Sequence, residues 1–285
     1  MFELDYHDEI GHFKFALIGF RKGGDDIIKF FQQYIWPKLN VESKGYAEPT
    51  FICDDIESNT LSVVPNNHLD LVFILADFTN NEELQRVKDI LLAMQDDDKT
   101  DKYSPFVMGI DINPYNTGKD LKMAYNILSF CMDILLPLNK QDIPKNITLS
   151  EKDCISLAAC QPIKMSIATT CIDGLIGFDF VDFKDILRKA GVANFIFGEA
   201  VGERAAFHAT CLALDGYAGE IDLKDVKRVM LYFAGADEAI SMLGIANGVV
   251  PIEKAVNEEA EIYYTAGIDD EMEDRIQFYA ILIDI

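Results

Sequence analysis

Apolar and polar positions along the chain repeat with two periods, and the alternation between them lays out a fold. Phe13-Lys14-Phe15-Ala16-Leu17-Ile18-Gly19-Phe20 reads as a buried strand entering a turn. Gly23 and Gly24 follow, then Asp25, Asp26 and an amphipathic helix from Ile27 to Trp36. Thr50–Cys53 is a short strand, and Leu69–Asp77 is a central strand ending in a loop. Asn80–Met94 carries apolar residues at helical spacing, with Asn80 as its N-cap. Pro105–Asp111 is a strand, Leu121–Leu128 a helix and Met132–Leu138 another strand. Strand and helix in strict alternation imply a parallel, doubly wound sheet over residues 1–149.

Ser150 opens a long helical segment running to about Ile176, with Ser150 and Asp153 in a capping-box pattern. Pro162 either kinks this helix or restarts it from its own first turn. The segment 150–176 bridges two halves. Residues 177–285 then read as a compact α+β domain. Helices are expected at Phe183–Lys189, Gly202–Leu214 and Asp237–Val249, the last ending near Gly248. Strands are expected at Asn194–Gly198, Lys227–Ala234, Ala260–Ala266 and Arg275–Ile285, the last two forming a hairpin across the acidic turn Asp269–Asp274.

Composition narrows the functions open to such a fold. The 49% hydrophobic content supports a full core. No apolar run reaches the roughly 18–20 residues of a transmembrane helix, and Met1–Glu9, acidic and without Lys or Arg, lacks the order of a signal peptide. A net charge of −23 repels phosphate backbones and anionic lipid, so neither nucleic acid nor direct membrane contact is expected. The six cysteines form no CxxC pair and sit mostly in apolar stretches, which favours core packing in a reducing cytoplasm over metal or disulfide use.

Four blocks of the second half carry a family resemblance. They are Val181-Asp182-Phe183-Lys184-Asp185-Ile186, the stretch Phe197–Ala205 with Gly198, Gly202-Glu203-Arg204 and Ala205, the strand Val229 onward ending at Ala234-Gly235-Ala236-Asp237, and Tyr264-Thr265-Ala266-Gly267-Ile268-Asp269-Asp270-Glu271-Met272. In order and spacing they resemble the bacterial division protein FtsZ, of the tubulin superfamily. The first half fits more loosely, with Asp111-Ile112-Asn113-Pro114-Tyr115-Asn116 where the family has TKPFNFEG. The resemblance implies a Rossmann-like nucleotide domain, a long core helix, a smaller α+β domain and a cytoskeletal role, cell division being one of several among relatives.

The resemblance also shows where this chain departs. Gly19, Arg21, Lys22, Gly23 and Gly24 match the glycine-rich first loop that covers phosphates, but Asp25 and Asp26 would repel one there, and a glycine turn needs no ligand. The superfamily signature GGGTGT/S is replaced by Ala76-Asp77-Phe78-Thr79-Asn80-Asn81-Glu82-Glu83, with no glycine. The positions that stack and read guanine fall at about Ala158 and Pro162, with Tyr125 or Gln161 as candidate substitutes. The family's synergy loop places two acids in a neighbouring subunit's pocket to position water, and Asp182 and Asp185 match both. The alternative for this pair is structural, Asp182 capping the next helix and Asp185 lying in its first turn.

The resulting expectation is a divergent FtsZ-like protein with an eroded GTP site that does not hydrolyse GTP by itself. It would act by self-assembly or by binding or capping a filament of related proteins. No metal and no cofactor is expected on this reading. The rival is a polymerising GTPase with an altered pocket, which would use GTP or GDP and Mg²⁺; a third possibility is a scaffold without nucleotide. The chain stops at Ile285, short of the flexible linker and tail usual among relatives, so membrane contact is expected to be indirect.

Overall fold

The computed structural model describes residues 12–54, 69–95, 104–140, 143, 148–172, 174–217 and 221–284; the acidic start Met1–Glu9 lies outside them. Strand β1 (Phe13–Phe20) leads directly into helix α1 (Arg21–Phe30), which passes through a π-helical turn (Phe31–Ile35) into α2 (Trp36–Glu42). Then come β2 (Ala47–Asp54), β3 (Leu71–Ala76), α3 (Asn81–Gln95), β4 (Phe106–Asp111), α4 (Gly118–Leu128) and β5 (Ile134–Pro137). Helix α5 (Glu151–Cys171) is followed by β6 (Gly174–Ile176), α6 (Phe180–Leu187), β7 (Gly191–Val192), β8 (Asn194–Val201) and α7 (Ala205–Asp215). β9 (Arg228–Gly235), α8 (Met242–Ala255), β10 (Glu261–Ile268) and β11 (Arg275–Ile283) complete the chain.

The first sheet has the order β2-β1-β3-β4-β5-β7, with every pair parallel. All six residues of β3 are buried, which requires cover on both faces. On one face Ile27 of α1 and Ile163 of α5 pack with Phe15, Leu17 and Phe73. On the other, Val87 of α3 and Leu121 of α4 pack with Ile18 and Ile74. Each such aliphatic or aromatic side chain contributes about 1.5–3 kcal/mol on full burial. The last strand of this sheet, β7, comes from beyond α5.

Helix α5 joins the two sheets. The Ser150 hydroxyl accepts from the Asp153 N–H at 3.1 Å and donates to its carboxylate at 2.6 Å, so Ser150 is the N-cap as expected, with the Asp153 carboxylate bonded to its hydroxyl. The helix neither breaks nor restarts at Pro162, and it ends at Cys171 rather than near Ile176, because Gly174–Ile176 leaves it as a strand of the second sheet. Met165 and Ile167 share one cluster with Phe73 of the first sheet and Tyr279 of the second.

The second sheet has the order β6-β10-β9-β11-β8. The expected terminal hairpin is therefore absent: β9 lies between β10 and β11, parallel to the first and antiparallel to the second. β9 is buried throughout from Val229 to Gly235, and the centre of the sheet suits it better than an edge. Helix α8 is the crossover that a parallel β9–β10 pair needs. It begins and ends later than the sequence pattern implies, and Gly248 does not stop it. A Cβ at Gly248 would lie 2.8 Å from the Phe233 ring, so that glycine lets α8 lie close against β9. Among the described residues, no helix is long and apolar enough to cross a membrane.

Candidate functional site

Strand ends at Phe20, Ala76 and Asp111 converge at the carboxyl edge of the first sheet. The strand order reverses between β1 and β3, which is where open α/β sheets place ligands. The glycine turn expected here is not a loop. Arg21, Lys22, Gly23 and Gly24 form the first turn of α1. A Cβ on Gly19 would stand 2.6 Å from the Gly24 carbonyl carbon, and one on Gly24 would stand 2.9 Å from the Leu75 carbonyl oxygen. A Cβ on Gly23 would meet the Ile112 side chain at 2.9 Å. These glycines let α1 press directly onto the ends of β1 and β3. Lys22 is exposed, and Arg21, in the left-handed region at φ 52°, turns to α3, pairing with Glu82 and, at 3.3 Å, with Glu83.

The loop after β3 is closed by its own side chains. The Asp77 N–H donates to the Glu83 carboxylate at 2.8 Å, the Phe78 N–H to Asp111 at 3.1 Å and the Thr79 N–H to Asp77 at 3.0 Å. The Asn80 N–H donates to the Asp77 carbonyl at 3.0 Å, and the Asn80 side chain accepts from the N–H groups of Glu82 and Glu83. Free N–H groups in a nest or at a helix start would face an anion; those of Asp77, Phe78, Thr79, Asn80, Glu82 and Glu83 have partners within the chain.

A second layer of hydrogen bonds fixes the acids. The Asn116 amide donates to Asp77 at 2.9 Å and to Asp111 at 3.1 Å; Asn113 donates to Asp77 at 2.9 Å, and the Thr79 hydroxyl donates to Asp77 at 2.8 Å. Burial pushes the Asp111 carboxyl up to about 7, against the pull of the Phe78 N–H and the Asn116 amide. Burial acts on Asp77 in the same direction, but the donors on Asn116, Thr79 and Asn113 outweigh it and hold that carboxyl below its ordinary value. Burial also raises Glu83, opposed by the Asp77 N–H and by Arg21. Sequence reasoning missed this network. Its one visible signal was an acid, Asp111, ending an otherwise apolar strand.

Beside the cluster, a cavity of about 170 Å³ lies between α1, Ile112 and the first turns of α5. Asp26 closes one side by pairing with Lys152 at 2.6 Å. Ala158, Gln161 and Pro162 line a second cavity, of about 350 Å³, between α5, the ends of β4 and β5, and β8. Tyr125 belongs to the opposite face of the first sheet, where its hydroxyl donates to the Asp133 carbonyl, so it does not join Gln161. Among the described residues, no group of three or more His, Cys, Asp or Glu is arranged to hold a metal.

Asp182 and Asp185 lie at the other end of the molecule. Both are exposed on α6. The cap of that helix is Asp179, which accepts from the Asp182 N–H at 2.8 Å; the expectation that Asp182 itself caps is thus corrected. α6 begins three residues earlier than the sequence pattern suggests because Phe180 and Phe183 both pack inward. The Phe180 ring meets Phe13 at 4.9 Å, and the Phe183 ring meets Phe106 at 5.6 Å. Phe13 and Phe106 start β1 and β4, whereas the glycines and Asp77 sit where these parallel strands end. Seven residues of β1 separate the two levels by roughly 23 Å.

Comparison with known proteins places this architecture. No family model matches the chain. The cell division protein FtsZ 1 of Methanocaldococcus jannaschii is 23% identical over 113 residues, which is 40% of this chain and 31% of that protein. The corresponding protein of Archaeoglobus fulgidus is 27% identical over 111 residues, 39% of this chain and 30% of its own length. The chain thus matches less than a third of the length of these curated relatives. Among solved structures, an empty FtsZ dimer of M. jannaschii superposes with a TM-score of 0.69 at 15% identity, over 96% of this chain and 89% of that one. A GTPγS-bound CetZ2 protofilament of Haloferax volcanii gives 0.66 at 13% identity, over 94% and 92%. GDP-form protofilaments of Bacillus thuringiensis TubZ give 0.63 at 8% identity, over 96% and 90%.

Proposed function

We propose that this chain, a divergent protein with the FtsZ/tubulin fold, has an eroded nucleotide site and acts by binding or capping a filament of related, nucleotide-bearing subunits. The single observation that carries the reading is the disposition of its two ends. At one end, the amides of Asp77, Phe78 and Thr79 in the loop after β3 are bonded to the chain's own carboxylates. At the other, Asp182 and Asp185 are exposed about a strand's length away, where they can serve another molecule's pocket but not their own.

Electrostatics supports the same reading. A phosphate entering beside Asp77, Glu82, Glu83 and Asp111 would have to displace hydrogen bonds already made and overcome like charge. The cavity of about 170 Å³ beside the loop is below the roughly 300–1,000 Å³ of ordinary small-molecule sites, and the one of about 350 Å³, though large enough, has Ala158 and Pro162 where the resemblance expects a ring and an amide. Stacking of one copy on another would bring Asp179, Asp182 and Asp185 toward that same acidic end. A partner whose end is charged differently suits them better, which favours capping over self-assembly. The structural neighbours described as protofilaments supply the kind of partner.

A second reading keeps nucleotide: a polymerising GTPase with an altered pocket, using GTP or GDP and Mg²⁺. It is favoured by the nucleotide-bound descriptions of the neighbouring structures and by Arg21 at the end of β1. The test is co-sedimentation with filaments of an FtsZ relative. The wild-type chain is expected to co-pellet or to shorten the filaments, and Asp182→Ala with Asp185→Ala to lose that effect while keeping its melting temperature. A double variant that acts like the wild type overturns the role of these acids.

A further inference from the structure

A cavity of about 470 Å³ lies at the seam between α4, the end of β5 and the second sheet, within the roughly 300–1,000 Å³ of small-molecule sites. It shares Asn116 with the loop cluster and lies apart from α6. Its charge is divided by element. Lys119 and Lys122 come from α4, whereas Asp222 and Asp225 come from the turn before β9, and Asp284 follows β11. Lys122 and Asp284 are 3.8 Å apart where the two sides meet.

One wall residue is buried and polar. Asn194, at the start of β8, is 4% exposed and lines the cavity. A primary amide can make up to four hydrogen bonds, so one on the wall offers both donors and an acceptor to an occupant. The other uncharged lining residues are mixed, polar at Asn116, Asn126 and Asn139 and apolar at Met123 and Ile221.

We propose that this cavity binds a small zwitterion of amino-acid or dipeptide size. Its anionic group would lie toward Lys119 and Lys122, its ammonium toward Asp222 and Asp225, and its polar backbone within reach of Asn194. A dianion would meet three carboxylates and a dication two ammonium groups, so both are disfavoured at one side of the cavity. A dipolar molecule satisfies both sides. Asn116, which holds Asp77 and Asp111, also lines the cavity, so an occupant touches the residue that locks the β3–α3 loop.

The experiment is calorimetric titration and thermal shift of the full chain with glycylglycine and β-alanine as zwitterions, succinate as dianion and 1,4-diaminobutane as dication. Saturable binding at millimolar concentration or tighter is expected for the zwitterions, and none for the other two. Lys119→Ala with Lys122→Ala, both on exposed turns of α4, is expected to keep the unliganded melting temperature and weaken binding about tenfold or more. Asp222→Asn with Asp225→Asn is expected to do the same. The proposal is overturned if no zwitterion of the set saturates, if succinate or diaminobutane binds as well, or if the lysine variant binds unchanged.

Discussion

The side-chain nitrogen of Asn116 bridges two carboxylates, donating to Asp77 at 2.9 Å and to Asp111 at 3.1 Å. One amide on the β4–α4 connection thereby ties the end of β4 to the loop after β3. Asn116→Ala removes this bridge and leaves Asp111 buried with one donor fewer. A loss of about 1–3 kcal/mol in unfolding free energy is expected, read from urea denaturation. Faster amide exchange at Phe78 and Thr79 should accompany it. Unchanged protection there would show that the loop is held by other means.

The pH dependence has two sources. Burial pushes Asp111 up to about 7, and burial together with Asp269 pushes Glu42 up to about 7. A carboxyl whose value is raised by folding binds its proton more tightly in the native state. Stability should therefore be highest at low pH within this window, fall as pH rises from about 4 toward 7, and level off above that. Asp111→Asn and Glu42→Gln should each flatten part of that slope in denaturation midpoints taken between pH 5 and pH 8. An unchanged slope in both variants would contradict the assignment.

Gly24 tests the packing role of the glycines. A Cβ there meets backbone on two sides, Gly19 at 2.6 Å and Leu75 at 2.9 Å, with no flexible side chain to move away. Gly24→Ala is expected to cost about 1–3 kcal/mol by forcing α1 off the sheet. A neutral substitution would show that the helix has room, and would reopen the turn as a loop.

Much of this architecture was legible in the residues. The run Leu71–Ala76 could only be a doubly covered strand, and Ser150 with Asp153 announced the start of α5. The relations among distant segments were not legible. That β9 separates β10 from β11 depends on which strand best fills the centre of the sheet, and neither turn length nor the acidic run Asp269–Asp274 reports it. Phe180 looked like part of a connection because its partner, Phe13, is far away in sequence. At the candidate site, the absence of glycine after Ala76 was plain, but the replacement lock was not: Asn116 and Asp77 are 39 positions apart and meet only through the register of β3 and β4.

The two halves are also clasped by ions. Lys38 of α2 pairs with Asp269 at 2.8 Å and with Glu271 at 3.1 Å, both in the connection between β10 and β11. Lys38→Met should destabilise the chain by about 1–2 kcal/mol, since Asp269 is nearly buried and loses its cation. Hydrogen exchange in residues 268–274 should rise more than in β3. A uniform rise would mean that Lys38 contributes only to global stability.

The central claim is that the carboxyl edge of the first sheet does not hold a nucleotide. Equilibrium titration of GTP and of GDP in the presence of Mg²⁺, followed by calorimetry, tests it most directly. No saturable heat and no rise in melting temperature are expected at nucleotide concentrations up to the millimolar range. A saturable micromolar Kd for either nucleotide would contradict the account and establish the polymerising GTPase as the better reading.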